Sequence, residues 1–217
     1  MLGVAIMEKV VLIGAGGHCR SVLDSLLELE TYEVVGITDT KNNFEIMGVK
    51  VIGSDDILEE LFDSGVNNAF ISLGSIGNTS IRRNIYNNLK KIGFKLPTII
   101  DKTAIVSKYA IVEEGVFIGK GAIVNSNAYI GNNAIINSGA IVEHDCKVGE
   151  FVHIAPGTTM SGGVYIGSNS HIGTGANIIQ GISIGKDCII GAGSVVVKNI
   201  EDNSKVYGNP GRKVFYE

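Results

Sequence analysis

The 217-residue sequence predicts two domains of different class, an α/β half-domain over residues 1–97 and a parallel β-helix of hexapeptide repeats over residues 98–217. Three observations carry this. Sixteen consecutive six-residue units run from Thr103 to Lys198 with an aliphatic or Met side chain at the fourth position of each, from Val106 and Val112 through Met160 to Ile190 and Val196, and no insertion resets the phase. The second position of the same units is mostly small, as at Ala104, Ala122, Ala140, Thr158, Ser170 and Ser194. Near Pro97 the texture changes, from polar segments compatible with helices to this Gly-rich repeat.

The first element is a strand at Val10-Val11-Leu12-Ile13, wholly apolar as expected of a parallel strand buried on both faces. Gly14-Ala15-Gly16-Gly17-His18 follows at once, then a helical pattern from about Cys19 to Leu29 with Val22, Leu23, Leu26 and Leu27 on one face. A second strand, Tyr32 to Ile37, leads to Asp39. A third, Ala69 to Leu73, runs into Gly74, and a helix is expected over Ser80 to Ile92. Strand, glycine turn, helix, strand and acidic residue make an open Rossmann-like unit, in which glycines let the backbone approach a ligand and the helix N-terminus offers N–H groups to a phosphate. The third glycine of a dinucleotide fingerprint would fall at Cys19 and is absent, so a mononucleotide or nucleotide-sugar fits better than NAD.

In the repeat, a period of six is neither the helical 3.6 nor a simple alternation, and points to a solenoid whose short strands each supply one inward residue. Three units per turn give an 18-residue triangular coil, with each strand stacked about 4.8 Å from its copy in the next coil. Glycines after the inward residue, as in Ile118-Gly119, Ile130-Gly131 and Ile190-Gly191, are expected at corners whose backbone conformation a Cβ resists.

A formal net charge of −4 and scattered Lys and Arg exclude the basic footprint of a nucleic-acid or anionic-membrane binder. Three Cys, an odd number, point to a reducing compartment, and Cys146 and Cys188 take the small second position of their units as packing residues. The four His and three Cys form no pair at zinc spacing, so no metal is expected. Met1 to Ile6 has no basic flank and is read as neither signal peptide nor membrane span; Met7 is a second candidate start. The location implied is cytoplasmic.

Taken together, the Gly-Ala-Gly-Gly-His turn, the uninterrupted hexapeptides and the closing Gly208-Asn209-Pro210-Gly211-Arg212 resemble the sugar O- and N-acetyltransferases of the hexapeptide-repeat class, over nearly the full length. The resemblance implies that the β-helix is left-handed, that acetyl-CoA is co-substrate, and that a homotrimer forms with active sites between subunits. It assigns the N-terminal domain to a nucleotide-linked amino sugar, held by Gly16, Gly17, His18, Asp39 and Thr40, with Gly74 and Arg82 closing over it. Thr40 stands where a second acidic residue occurs in the bacillosamine-pathway enzyme. His144 with Asp145 resembles the family's catalytic pair, and His153 the residue at the thioester end of acetyl-CoA, where an imidazole N–H would polarise the carbonyl. Gly162, Gly173, Thr174, Ala192 and Gly193 lie on coils where the pantetheine arm is expected to run.

The residues support this chemistry independently. An amine attacking a thioester must lose a proton, and a carboxylate hydrogen-bonded to an imidazole fixes its tautomer and raises its basicity. Neighbours on a straight strand point to opposite faces, so His144 and Asp145 need a corner to meet, and Glu143 is a rival partner. Nine residues, half a coil, separate His144 from His153 and place them on different sides of one prism, which argues for a site completed by a second subunit. His171 should stack on His153 one coil away. The expected reaction is N-acetylation of a 4-amino group on a nucleotide-linked dideoxy sugar, a UDP-sugar first. O-acetylation of sialic acid or a related sugar, and a non-catalytic sugar-nucleotide scaffold, are the alternatives.

Overall fold

The computed structural model describes residues 7–41 and 43–214, so the choice between Met1 and Met7 as start lies outside the described residues. The chain divides into two compact units: residues up to Gly74 with Arg82–Pro97, and Ser75–Ile81 with the residues from Thr98 onward.

In the first unit β1 (Glu8–Ile13) leads through the glycine turn to α1 (Gly17–Leu29), β2 (Tyr32–Thr38), β3 (Glu45–Ile46), β4 (Val49–Gly53), α2 (Leu58–Asp63) and β5 (Asn68–Ile71), and α3 (Ser80–Ile92) belongs to it from Arg82 onward. The sheet order is β3-β4-β2-β1-β5, parallel except for the β3–β4 pair. Val10 to Ile13 are buried, as a central parallel strand requires, and Val22, Leu23 and Leu26 bury one face of α1. The chain goes from β1 to β2 on one side and to β5 on the other, so the sheet has its switch point at the carboxyl end of β1, where open α/β sheets take ligands. The β3–β4 hairpin and α2 are additions to the elements expected from sequence.

In the second unit β6 (Ile99–Ile100) precedes sixteen two-residue strands, β7 (Ile105–Val106) to β22 (Val195–Val196), one at the third and fourth positions of every hexapeptide. Partners are eighteen residues apart, as in Ile123↔Ile141 and His153↔His171, so three hexapeptides make one coil. Three faces result: a first of β7, β10, β13, β16, β19 and β22; a second of β8, β11, β14, β17 and β20; and a third from β6 to β21, extended by β23 (Lys205–Tyr207) and the antiparallel β24 (Arg212–Lys213). Ile118 to Val196 in the fourth position and the small second-position residues fill one continuous core, Cys146 and Cys188 included. Stacking like on like in a narrow prism is why the second position stays small.

The corners work differently from the expectation. Residues of positive φ fall at the first position of fourteen consecutive units, from Gly115 to Gly193, and non-glycines there are Asn127, Asn133, Asp145, Phe151, Asn169 and Asp187. Asn and Asp tolerate this left-handed region best among side chains. The glycines that directly follow the inward residue have no such φ. They are small because coils approach closely: a Cβ on Gly131 would stand 2.9 Å from Glu150 N, and one on Gly173 2.6 Å from Ala192 N.

Residues Ser75–Ile81 belong to the second unit as a strap on the third face. The Ser75 carbonyl meets His153, Thr79 Oγ1 donates to Asn169 Oδ1 at 2.9 Å, and Gly77 lies so close to Ile189 that a Cβ would strike its side chain.

Candidate active site

His144 and Asp145 occupy the corner between β13 (Ile141–Val142) on the first face and β14 (Lys147–Val148) on the second. Asp145 has φ +61°, and this left-handed residue turns its side chain back to its neighbour. His144 Nδ1–H donates to Asp145 Oδ2 at 2.7 Å, and the side chains are 55% and 54% exposed. Glu143 does not compete for the ring; its Oε2 accepts the His144 backbone N–H at 3.2 Å. The other carboxylate oxygen, Asp145 Oδ1, accepts from Asn127 Nδ2 at 2.6 Å. The hydrogen bond from Asp145 raises the His144 pKa above its ordinary value, while hydrogen bonds from Asn127 and then His144 lower that of Asp145. The pair is therefore a carboxylate-supported imidazole whose Nδ1 is occupied, which leaves Nε2 as the atom that takes up a proton.

Gly162, expected on the pantetheine path, lies directly against this ring: a Cβ there would stand 2.6 Å from His144 Cε1 and Nε2. A hollow of about 620 Å³ beside the pair is lined by Ile111, Asn127, Tyr129, Asp145 and Lys147.

His153 lies on β15 (His153–Ile154) of the third face, away from the His144 corner as the half-coil spacing requires. Its Nδ1–H donates to Ser75 O at 3.0 Å, and its Nε2, 3.2 Å from Asn137 Nδ2, accepts from that amide. Asn137 is oriented by the Ser138 N–H on its Oδ1 at 2.8 Å. Both ring nitrogens are thus engaged, and the N–H expected to polarise a thioester carbonyl is given to Ser75 instead. His171 stacks edge to face on His153 with ring centroids 4.9 Å apart, is buried, and has a pKa lowered by desolvation. Gly173, Thr174, Ala192 and Gly193 follow β18 (His171–Ile172) and β21 (Ile189–Ile190), at the corner between the third and first faces. The solenoid residues thus form two separate sets, one around His144 and one around His153.

In the first unit Gly16 is the N-cap of α1, and Gly17 and His18 open that helix at the carboxyl end of β1. A Cβ on Gly74 would approach His18 Cβ to 3.4 Å, so these two meet across the switch point. Asp39 clips the turns together: Oδ2 accepts Ala15 N–H at 2.7 Å, and Oδ1 accepts Lys41 N–H at 3.0 Å and the Thr40 hydroxyl at 3.3 Å. The Lys41 bond is the main reason its pKa is lowered. Thr40 thus supports Asp39. Arg82 is 2% exposed, and burial pushes its guanidinium down to about 10, so in this structure it does not stand in solvent ready for a ligand. Among the described residues no group of His, Cys, Asp and Glu could hold a metal ion, and no helix is long and apolar enough to cross a membrane.

A triangular β-helix with a His–Asp pair on one corner, together with a small α/β unit bearing a glycine turn, defines the two-domain hexapeptide transferases. The PglD N-terminal domain family model matches residues 9–89, and the bacterial transferase hexapeptide (six repeats) model matches residues 109–144, 127–162 and 163–198. A variant of perosamine N-acetyltransferase from Caulobacter crescentus, solved with CoA and GDP-perosamine, is 35% identical, superposes with a TM-score of 0.92, and is matched over 98% of this chain and 99% of that one. The acetyltransferase domain of PglB from Neisseria gonorrhoeae is 36% identical with a TM-score of 0.90, over 95% of this chain and 100% of that one, and a further structure of that domain contains acetyl coenzyme A. WeeI from Acinetobacter baumannii, 24% identical with a TM-score of 0.84, shares the fold. The chain belongs to the hexapeptide-repeat sugar acetyltransferases with a PglD-type N-terminal domain, and its β-helix is left-handed.

Three contributors were not singled out from the sequence: Asn127, Asn137 and the Ser75 carbonyl. Asn127 had a readable signal, since it precedes Asp145 by one 18-residue coil.

Proposed function

We propose that the protein transfers acetyl from acetyl-CoA to the 4-amino group of a nucleotide-linked amino-dideoxy sugar, with His144 as general base. The observation that carries this is the 2.7 Å bond between His144 Nδ1 and Asp145 Oδ2 on an exposed corner. His144 Nε2 accepts the amine proton as the nitrogen attacks the thioester carbonyl; the C–N bond forms, the C–S bond breaks, and the thiol of CoA leaves with a proton. Asp145 stabilises the imidazolium. The Cys thiols are buried and their pKa values raised, which favours direct attack over an acetyl-enzyme.

The nucleotide-sugar is held in the residues 1–97 domain by Gly16, Gly17, His18 and Gly74, around a turn that Asp39 and Thr40 keep in shape; the buried Arg82 is at most a support. Acetyl-CoA runs past His153, Gly173, Thr174, Ala192 and Gly193, with its thioester near Gly162 and His144. Because these sets lie on different faces of one prism, the site is completed between subunits of a homotrimer in the cytoplasm. A mass by light scattering equal to one chain would refute that assembly.

Release of free thiol from acetyl-CoA, measured against UDP-, GDP- and TDP-linked 4-amino sugars and free sialic acid, tests the reaction. A UDP-sugar is the first acceptor to test, and GDP-perosamine the second because a relative was solved with it. His144→Ala is expected to lower turnover about a hundredfold or more with the fold intact. Parent-level turnover in that variant removes His144 from the mechanism, and release only with sialic acid reassigns the chemistry to O-acetylation.

A further inference from the structure

We infer that Asn127, one coil before the His–Asp pair, is a positioning residue for catalysis: its amide holds the Asp145 carboxylate in the orientation that grips His144. The inference rests on the reading of His144 as base.

Three observations converge. Asn127 Nδ2 donates to Asp145 Oδ1 at 2.6 Å while Oδ2 of the same carboxylate takes His144 Nδ1–H at 2.7 Å, so amide, carboxylate and imidazole form one chain. The Asp145 side chain is 54% exposed, so burial in the core does not fix its rotamer. A short carboxylate in that setting adopts several rotamers, and a donor on its second oxygen selects one. Finally, the corner itself does not require Asn. Asn127, Asp145, Gly163 and Gly181 occupy the same corner in four successive coils, all at positive φ, and the last two are glycines. The left-handed backbone explains why Asn is tolerated here; it does not explain an amide aimed at the carboxylate one coil on.

The charged groups around the pair also bear on its basicity. Glu143 is bound to the His144 backbone N–H, and Lys147 lines the same hollow as Asn127 and Asp145. Neither donates a hydrogen bond to the Asp145 carboxylate among the bonds described, so Asn127 is its side-chain donor besides His144.

The test uses the full-length protein with acetyl-CoA and the best nucleotide-linked amino sugar. Asn127→Gly keeps a residue that favours the corner backbone and deletes only the amide. Asn127→Asp keeps size and tolerance of positive φ but sets a carboxylate against Asp145. The expected result for Asn127→Gly is a fall in kcat of about tenfold with both KM values unchanged, since orientation rather than binding is lost. Its acid limb of kcat/KM should also move to lower pH, because a loosened Asp145 supports the imidazolium less. Asn127→Asp should lose more at pH 8, where both carboxylates are charged. Parent-like kcat and pH profile in Asn127→Gly, or parent-like kcat in Asn127→Asp, would overturn the inference. His144→Ala assayed alongside separates the two levels: if it is inactive while Asn127→Gly is fully active, only the positioning role falls, and if it is active the reading of the base falls.

Discussion

Replacing Gly162 by Ala should displace the His144 ring, the proposed base, without disturbing the solenoid. The added Cβ would lie 2.6 Å from His144 Cε1 and Nε2. Non-bonded carbon atoms rest at about 3.5–4.0 Å, so the imidazole must retreat by roughly 1 Å. The ring is the group that yields, because its side chain is 55% exposed while Gly162 is part of a stacked backbone. A displacement of about 1 Å at a reacting group costs about a hundredfold in rate. Gly162 has no left-handed φ, so Ala adds no backbone strain. Steady-state thiol release at saturating acetyl-CoA and acceptor, paired with a thermal melt, measures both sides of the argument. The expected outcome is a kcat lowered by about a hundredfold, an unchanged melting temperature, and little change in the KM for acetyl-CoA. A kcat within twofold of the parent refutes the reasoning, and a raised KM for acetyl-CoA at full kcat would mean that Gly162 serves the pantetheine arm, as the sequence alone suggests.

Two pH predictions follow from the titrating histidines. As the proposed base, His144 works when unprotonated and Asp145 raises its pKa, so the acid limb of kcat/KM is expected above the ordinary histidine value of about 6.5. Asp145→Asn, which keeps a residue suited to positive φ, should move that limb to lower pH and reduce kcat; an unmoved limb denies the carboxylate this role. His171 is buried with a lowered pKa, so the unfolded chain takes up its proton first as pH falls. Stability from this residue is complete above about pH 6.5 and declines below it, by at most about 1.4 kcal/mol per pH unit until the folded pKa is reached. His171→Phe should therefore lose less melting temperature between pH 8 and pH 5.5 than the parent does, and an equal loss in both would refute this.

The period of six made the solenoid legible, because one inward side chain per unit is a constraint that nothing else in the chain imposes. The helix over Ser80–Ile92 and the order of β1, α1 and β2 were legible for the same kind of reason. The β3–β4 hairpin was not. Its turn residues Met47 and Gly48 both have positive φ, and Met at such a position carries none of the Asn or Asp signal that marks a tight hairpin. Within the candidate site, the meeting of His144 and Asp145 was readable from their type and place, whereas the engagement of His153 Nδ1 depends on Ser75, seventy-eight residues away in sequence. The burial of Arg82 was not legible, because a charge on a polar helix carries no sign of it. The fifth-position glycines misled because a residue that spares room for the next coil and one that adopts a left-handed turn are both written as Gly.

The eighteen-residue register has a consequence for how such an enzyme can change. A single inserted residue within the prism would rotate every later side chain to a different place on its perimeter, separating Asn127 from Asp145 or Gly162 from His144 according to where it fell. A whole added coil would leave those columns aligned and lengthen the edge by about 4.8 Å. Growth or shrinkage of this architecture is therefore quantised, and the His144–Asp145 corner is inherited intact through such steps while the reach of the ledge beyond it alters.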